Sequence, residues 1–345
     1  MQSTSSRAPQ RYADISLMRI TAMLAVVFLH TNSAVVDQAA AYGLHEQHIF
    51  LMTLLKQLVN WAVPIHFMIT GALLLRPDKP LSFGLCMRKY AKRILLALFV
   101  FGVPFSLLEM LLEYKTLTPG MLIHAVFNVI AGQSWDHLWY LYALLGVYLL
   151  LPVFKRFTDA APRSELRAVI IVLLFFQFAL PLLHTRVYLP IAVEMPIVST
   201  SVTYLLLGRY LRDGLPGLLR SKMRCLLCLA ASCALAVFVF SVSGSEYLIG
   251  FFAPLFAVLL FALFQDLTVP EHLNAPLWKL DRLCFGVYLV HPVFINFAYK
   301  FLHITPVSFS AYPVMILVFF AVFSLLSFAA SQVMALIPPL KKYIL

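Results

Sequence analysis

Arg19 and His30 stand eleven positions apart in an otherwise apolar run, LMRITAMLAVVFLHTN, residues 17 to 32. At about 100° per residue, eleven steps make three turns plus roughly 20°, so both side chains fall on one stripe of a helix, roughly 16 Å apart along its axis. An ionisable residue inside a membrane helix costs roughly 2.5 to 3.5 kcal/mol on insertion scales and is kept where it has a partner or a task. The two residue types suggest the task. A guanidinium can clamp phosphate or a carbonyl oxygen, and an uncharged imidazole can accept a proton from a hydroxyl. The pair suits a reaction whose reactants approach from opposite sides of a membrane. A plainer reading stands beside it, in which Arg19 anchors the helix end at the interface and His30 bonds a neighbouring helix.

The elements that must carry these residues are spans. The 345 residues are 62% hydrophobic and 12% charged, with a mean hydropathy of +0.89, which excludes an ordinary soluble domain. Apolar stretches of about 20 residues recur along the whole length, each able to cross a hydrocarbon core with its backbone hydrogen bonds closed internally. The expectation is an all-α polytopic helical bundle, one membrane-embedded domain over residues 1–345. Ten spans are predicted, at 15 to 35, 50 to 75, 93 to 112, 137 to 154, 166 to 183, 189 to 208, 225 to 243, 247 to 265, 284 to 302 and 309 to 338. All but four of the 26 Lys and Arg fall in connections on one side, the exceptions being Lys56, Lys115, Arg186 and Lys300. By the positive-inside rule both termini are then cytoplasmic. The net charge of +11 reflects this topology, and its scatter over short loops argues against nucleic-acid binding.

The first span is longer than a signal core and is expected to be retained, since cleavage would leave nine spans and upset the charge alternation. The five cysteines, Cys86, Cys225, Cys228, Cys233 and Cys284, fall toward the basic side, so no disulfide framework is implied. Cys225 and Cys228 form a lone C-x-x-C, and His45 and His48 a lone close pair; neither has the further ligands a metal needs, so no metal site is expected. In the longest outward connection, 113 to 136, the spacing of Met121, Leu122, Val126, Phe127 and Ile130 predicts a short helix lying in the interface.

Further candidates lie along the spans. His291 follows Tyr288 by one turn and precedes Pro292, which removes a backbone donor and suits a kink beside a cavity. Trp139, Tyr140 and Tyr142 open the fourth span, where aromatic rings serve either as an interfacial belt or as faces for stacking sugars. Glu194 is the deepest carboxylate of the sixth span, and Glu109, Glu113 and Asp136 bracket the outward loop, placed to hold sugar hydroxyls.

Four stretches together carry a resemblance. RITAMLAVVFLH, with Arg19 and His30, is similar to the R-x10-H signature of the membrane-bound acyltransferase-3 family, the bacterial O-acyltransferases. VPIHFMITGALLL (63 to 75), HLWYLYALLGVYLLLP (137 to 152) and FGVYLVHPVF (285 to 294) resemble that family's later segments, in order. Departures are visible as well. Where the family commonly has Asp three residues before the arginine this chain has Ser16, with Asp14 nearby; His66 stands for a usual Phe, Thr70 for Ser and Ala72 for Tyr.

The resemblance implies transfer of an acyl group, most often acetyl, from cytoplasmic acyl-CoA to a hydroxyl of an envelope carbohydrate or lipid-linked glycan across the bacterial inner membrane. The chain resembles the short stand-alone members, such as those acetylating enterobacterial common antigen. Acetyl-CoA would be a co-substrate, with no bound cofactor. His30 would be the general base, an acyl-histidine route competing, and Arg19 would orient the donor or steady the oxyanion. Thr70, His66, His291, Tyr288, Trp139, Tyr142 and Glu194 would meet the acceptor; Arg88, Lys89, Lys92 and Arg93 would hold the donor phosphates, although topology alone also explains their charge. A transporter of an envelope glycan or lipid-linked sugar is the alternative, since intramembrane ionisable residues fit it too.

Overall fold

The computed structural model describes residues 12–36, 43–181 and 197–345. The chain forms α1 (Ala13–Val36), α2 (Glu46–Leu58), α3 (Ala62–Leu74), α4 (Lys92–Tyr114), α5 (Pro119–Ile130), α6 (Trp139–Ala160), α7 (Arg163–Leu174), α8 (Ile197–Arg212), α9 (Lys222–Ser243), α10 (Phe252–Phe264), α11 (Glu271–Asn296), α12 (Tyr312–Met334) and α13 (Pro338–Tyr343). No strand occurs among the described residues. Local chemistry sets the ends. Ser82 and Ser221 accept from the exposed amides of Leu85 and Arg224 at the starts of their helices. Gly244, at φ +61°, closes α9 in the left-handed conformation that glycine adopts without strain.

Among the described residues, eight helices are long and apolar enough to cross a membrane. They match eight of the predicted spans, and the protein is an all-α, multi-pass membrane bundle. The remaining two predictions fall on α7, whose first turn carries Arg163, Glu165 and Arg167, and on α8. Part of the sixth predicted span, including Glu194, lies outside the described residues. Side chains such as Leu227, Phe238 and Leu325 project outward and are exposed, a surface that only hydrocarbon would cover comfortably.

α1 is central and touches α2, α3, α10, α11 and α12. The tightest crossing is between α3 and α8. A Cβ on Gly71 would lie 1.8 Å from the Leu205 carbonyl oxygen, and one on Gly208 1.9 Å from that of Met68, so the two backbones are in contact. Small residues permit such crossings in membranes, where dispersion and polar contacts replace the hydrophobic drive. α11 and α12 meet similarly at Gly286 and Ser331, whose hydroxyl donates to the Leu283 carbonyl at 2.8 Å.

Polar contacts gather the loops into two ends. At one, Arg76 bonds Tyr12 and Asp78, Arg212 bonds Asp14, and Arg93 donates to the carbonyls of Ile344 and Leu345 at 2.5 and 2.6 Å. This basic end collects the connections that the charge pattern assigns to a single side. At the other, Gln57 donates to Glu246 at 3.0 Å and Lys300 lies 3.9 Å from Glu109. α5 lies against α4 there, burying Ala125 and Val129 while Leu122, Ile123, Phe127 and Ile130 remain exposed, the amphipathic helix the outward loop predicted.

One boundary differs in a way that matters. The ninth span was predicted from residue 284, but α11 begins at Glu271. The residues between include Lys279, Asp281 and Arg282, which depress the hydropathy and hide a helix that continues past the apolar core.

Candidate active site

α1 and α11 pack side by side and, since Arg19 meets Asp281 and His30 meets His291, run in the same direction, with their polar residues spaced alike. On α1, Arg19 and His30 are eleven residues apart; on α11, Asp281 and His291 are ten apart. Arg19 donates through Nη1 to Asp281 Oδ1, and Ser16 Oγ donates to Asp281 Oδ2 at 3.0 Å. Further along, the His30 and His291 rings lie 5.1 Å apart, centroid to centroid. The two helices therefore meet as an ion pair at the basic end and as an imidazole pair deeper in.

A cavity of about 470 Å³ runs along this seam. Arg19 and His30 both line it, which sets them on one wall as the stripe requires. Around Arg19 the wall is polar and aromatic: Lys79, Arg93, Asp281, Arg282, Tyr90, Tyr148 and Phe285. The rest of the wall includes His66, Thr70, Trp139, Tyr140 and Tyr288, and His137, whose ring touches that of His291 behind His30.

The rings of the deeper half form a network. His137 lies 5.6 Å from His291 and 5.6 Å from Tyr288, whose hydroxyl donates to the His137 carbonyl at 2.6 Å. Tyr140 packs 5.4 Å from Tyr288 and 6.2 Å from His66. His291 Nδ1 lies 2.9 Å from the Tyr288 carbonyl and 3.2 Å from that of Val287. Carbonyls only accept, so Nδ1 carries the hydrogen and Nε2 presents a lone pair. Among the described residues, Nε2 of His291 and Nε2 of His137 are buried without a hydrogen-bond partner. Buried polar atoms are normally satisfied, and exceptions mark places where a ligand or water belongs.

The basic mouth is crowded with positive charge. Lys79 sits half-buried in the connection between α3 and α4; burial, and then the charges of Lys89 and Arg76, hold its ammonium below the usual lysine range. Arg93 lies 4.9 Å from the Phe285 ring centroid, its hydrogen bonds going to the Ile344 and Leu345 carbonyls. Arg19, Lys79, Arg93 and Arg282 line the cavity with a single acidic side chain, Asp281, and that excess of positive charge attracts an anion.

Of the residues singled out by sequence, Arg19, His30, His66, Thr70, Arg93, Trp139 and Tyr288 line the cavity. His291 does not; fully buried, it backs His30. Tyr142 is not on the wall either, because its hydroxyl donates to the Val129 carbonyl and ties α6 to α5. Arg88 and Lys89 are exposed on the π-helical turn Cys86–Ala91, outside the cavity lining, with Lys89 5.7 Å from the Tyr90 ring; Lys79 and Arg282 occupy the place expected of them. Thr70 Oγ1 donates to the His66 carbonyl one turn back at 2.9 Å. Asp14 does not reach Arg19: it pairs with Arg212 and accepts from the Asp266 amide at 3.0 Å.

Sequence reasoning passed over Asp281 and gave no role to His137. Asp281 was recoverable: seven residues before Tyr288, it shares that residue's helical stripe. His137 lies in a single 3₁₀ turn, Asp136–Leu138, where no periodicity points.

A family model described as an acyltransferase domain matches residues 12–335. No curated protein and no solved structure matches the chain.

Proposed function

The chain belongs to the membrane acyltransferase-3 family, and from that premise we propose that it transfers an acyl group, most simply acetyl, from cytoplasmic acyl-CoA to a hydroxyl of an envelope carbohydrate in the bacterial inner membrane. Acyltransferase activity follows from the family; the donor, the acceptor and the membrane are this reading's own.

The observation that carries it is the shared cavity. Coenzyme A bears several phosphate charges and does not cross a bilayer, so its thioester must be reached through the protein. Arg19 lies at the basic end and His30 about 16 Å deeper, and both line one cavity. Lys79, Arg282 and Arg93 would receive the phosphates, while Tyr90, Tyr148 and Phe285 offer aromatic faces to the rest of the donor. At the other side Trp139, Tyr140 and Tyr288 would pack against the acceptor, with His137 as a polar contact, while His66 and Thr70 line the stretch between.

In the transfer step His30 takes the proton of the acceptor hydroxyl as its oxygen attacks the thioester carbonyl. Arg19, keeping N–H groups beyond the one given to Asp281, orients the donor at the basic mouth. Collapse expels the thiolate, which takes the proton back from His30, leaving an O-ester and free coenzyme A. His291 Nε2, a lone pair beside His30, can accept that ring's other N–H and so keep its remaining nitrogen a proton acceptor. This is the role a third residue plays behind a catalytic base.

The test is purified protein in proteoliposomes given labelled acetyl-CoA outside and a hydroxyl-bearing glycan inside. Label appearing in the glycan supports the reading. Glycan crossing while label stays on coenzyme A overturns it in favour of transport.

A further inference from the structure

Arg19 can serve at the basic mouth only if its guanidinium is held in one place. A long side chain at the end of a membrane helix otherwise snorkels toward the nearest interface. What holds it comes from another helix. Asp281, ten residues into α11, gives Oδ1 to Arg19 Nη1 and Oδ2 to Ser16 Oγ. Both carboxylate oxygens are thus used, one on each of two residues of α1 separated by three positions.

We propose that Asp281 is the positioning residue of Arg19, and that Ser16 fixes Asp281 in turn, so the three form a clamp between α1 and α11 that aims the guanidinium along the cavity. The reading of Arg19 as a donor-side group is assumed here. Burial favours the clamp: the Arg19 and Asp281 side chains are only 28% and 16% exposed, and Ser16 is buried. In so dry a place removing one partner leaves a charge uncompensated. Asp14, the other carboxylate near the start of α1, is committed to Arg212 and the Asp266 amide and offers no substitute.

The geometry makes a specific exchange possible. Ser16 and Asp281 touch, and residues three apart on a helix face one another. Moving the carboxylate to position 16 and the hydroxyl to 281 therefore preserves both partners of the clamp while reversing which helix carries the charge. A role in bulk stability would not predict rescue of this kind.

The experiment uses the full chain in nanodiscs and reads two quantities. Phenylglyoxal modifies free guanidinium groups, and mass spectrometry of the Arg19 peptide gives the rate at that residue; acyl transfer gives kcat. Asp281→Asn is expected to speed Arg19 modification about fivefold, as a charge-assisted hydrogen bond is lost, and to lower kcat about tenfold. The double exchange Ser16→Asp with Asp281→Ser should bring both back to within about threefold of the starting protein. Ser16→Ala keeps the ion pair and should speed modification about twofold, which provides a reading if Asp281→Asn does not accumulate. Unchanged Arg19 reactivity in Asp281→Asn, or in Ser16→Ala where that is the variant obtained, would overturn the clamp. So would a double exchange that behaves like Asp281→Asn alone. If modification follows the expected pattern but no protein moves an acyl group, the clamp stands and the transfer reading is what fails.

Discussion

The two halves of the cavity solve opposite problems. Near Arg19 the polar atoms find partners: the guanidinium has Asp281, Asp281 has Ser16, and Arg93 has two carbonyls. Near His30, among the described residues, two imidazole nitrogens are buried with no partner. Paired charges rigidify a site, whereas unmet acceptors mark where something else must bind or react. The comparison separates a half built for holding from one built for proton transfer.

The strongest way to break that division is His30→Ala. If the deeper half moves the proton, transfer from labelled acyl-CoA should fall by about 10² to 10⁴, the usual worth of a positioned base, with protein levels in the membrane unchanged. Retained turnover would remove His30 from that role. His291 sharpens the same point more mildly. His291→Ala should lower kcat about tenfold with little change in the acceptor KM, whereas His291→Gln, keeping an acceptor oxygen, should recover part of the loss.

At the basic half the effect should appear in binding. Lys79→Ala is expected to raise the donor KM by about threefold to tenfold and leave kcat alone. Its pH dependence has a definite sign. Lys79 loses its proton below the usual lysine range, so donor affinity in the intact protein should weaken as pH rises through that lowered value, and the variant should lose this alkaline decline. The smallest effect belongs to Tyr142→Phe. It deletes the hydrogen bond to the Val129 carbonyl and should cost about 0.5 to 1.5 kcal/mol of stability, seen as a lower melting temperature in detergent with both KM values intact.

How much of this was legible follows from what each signal measures. Hydropathy reads long apolar runs, so the spans were accessible, and the angular spacing of Arg19 and His30 correctly set both on one wall. The same measure hid the first part of α11, because the charges that make Asp281 useful also lower the local average. Loop composition showed that the 76–92 connection is basic, but which cations turn inward depends on how the chain bends; Lys79 lines the cavity while Arg88 and Lys89 face outward. Tyr142 illustrates the remaining limit. It lies two positions after Tyr140, which lines the cavity, and on a helix the partner of a hydroxyl is decided by rotation and by what lies opposite.

The backbone crossing at Gly71 and Gly208, against Leu205 and Met68, has a bearing on how cargo could pass. With no side chains between them, the α3 and α8 backbones are riveted at one point, and α3 carries His66 and Thr70 on the cavity wall. A carrier that rocked α3 against α8 would have to prise that rivet open in every cycle. A stationary tunnel, in which only the small acyl group changes hands, leaves it shut.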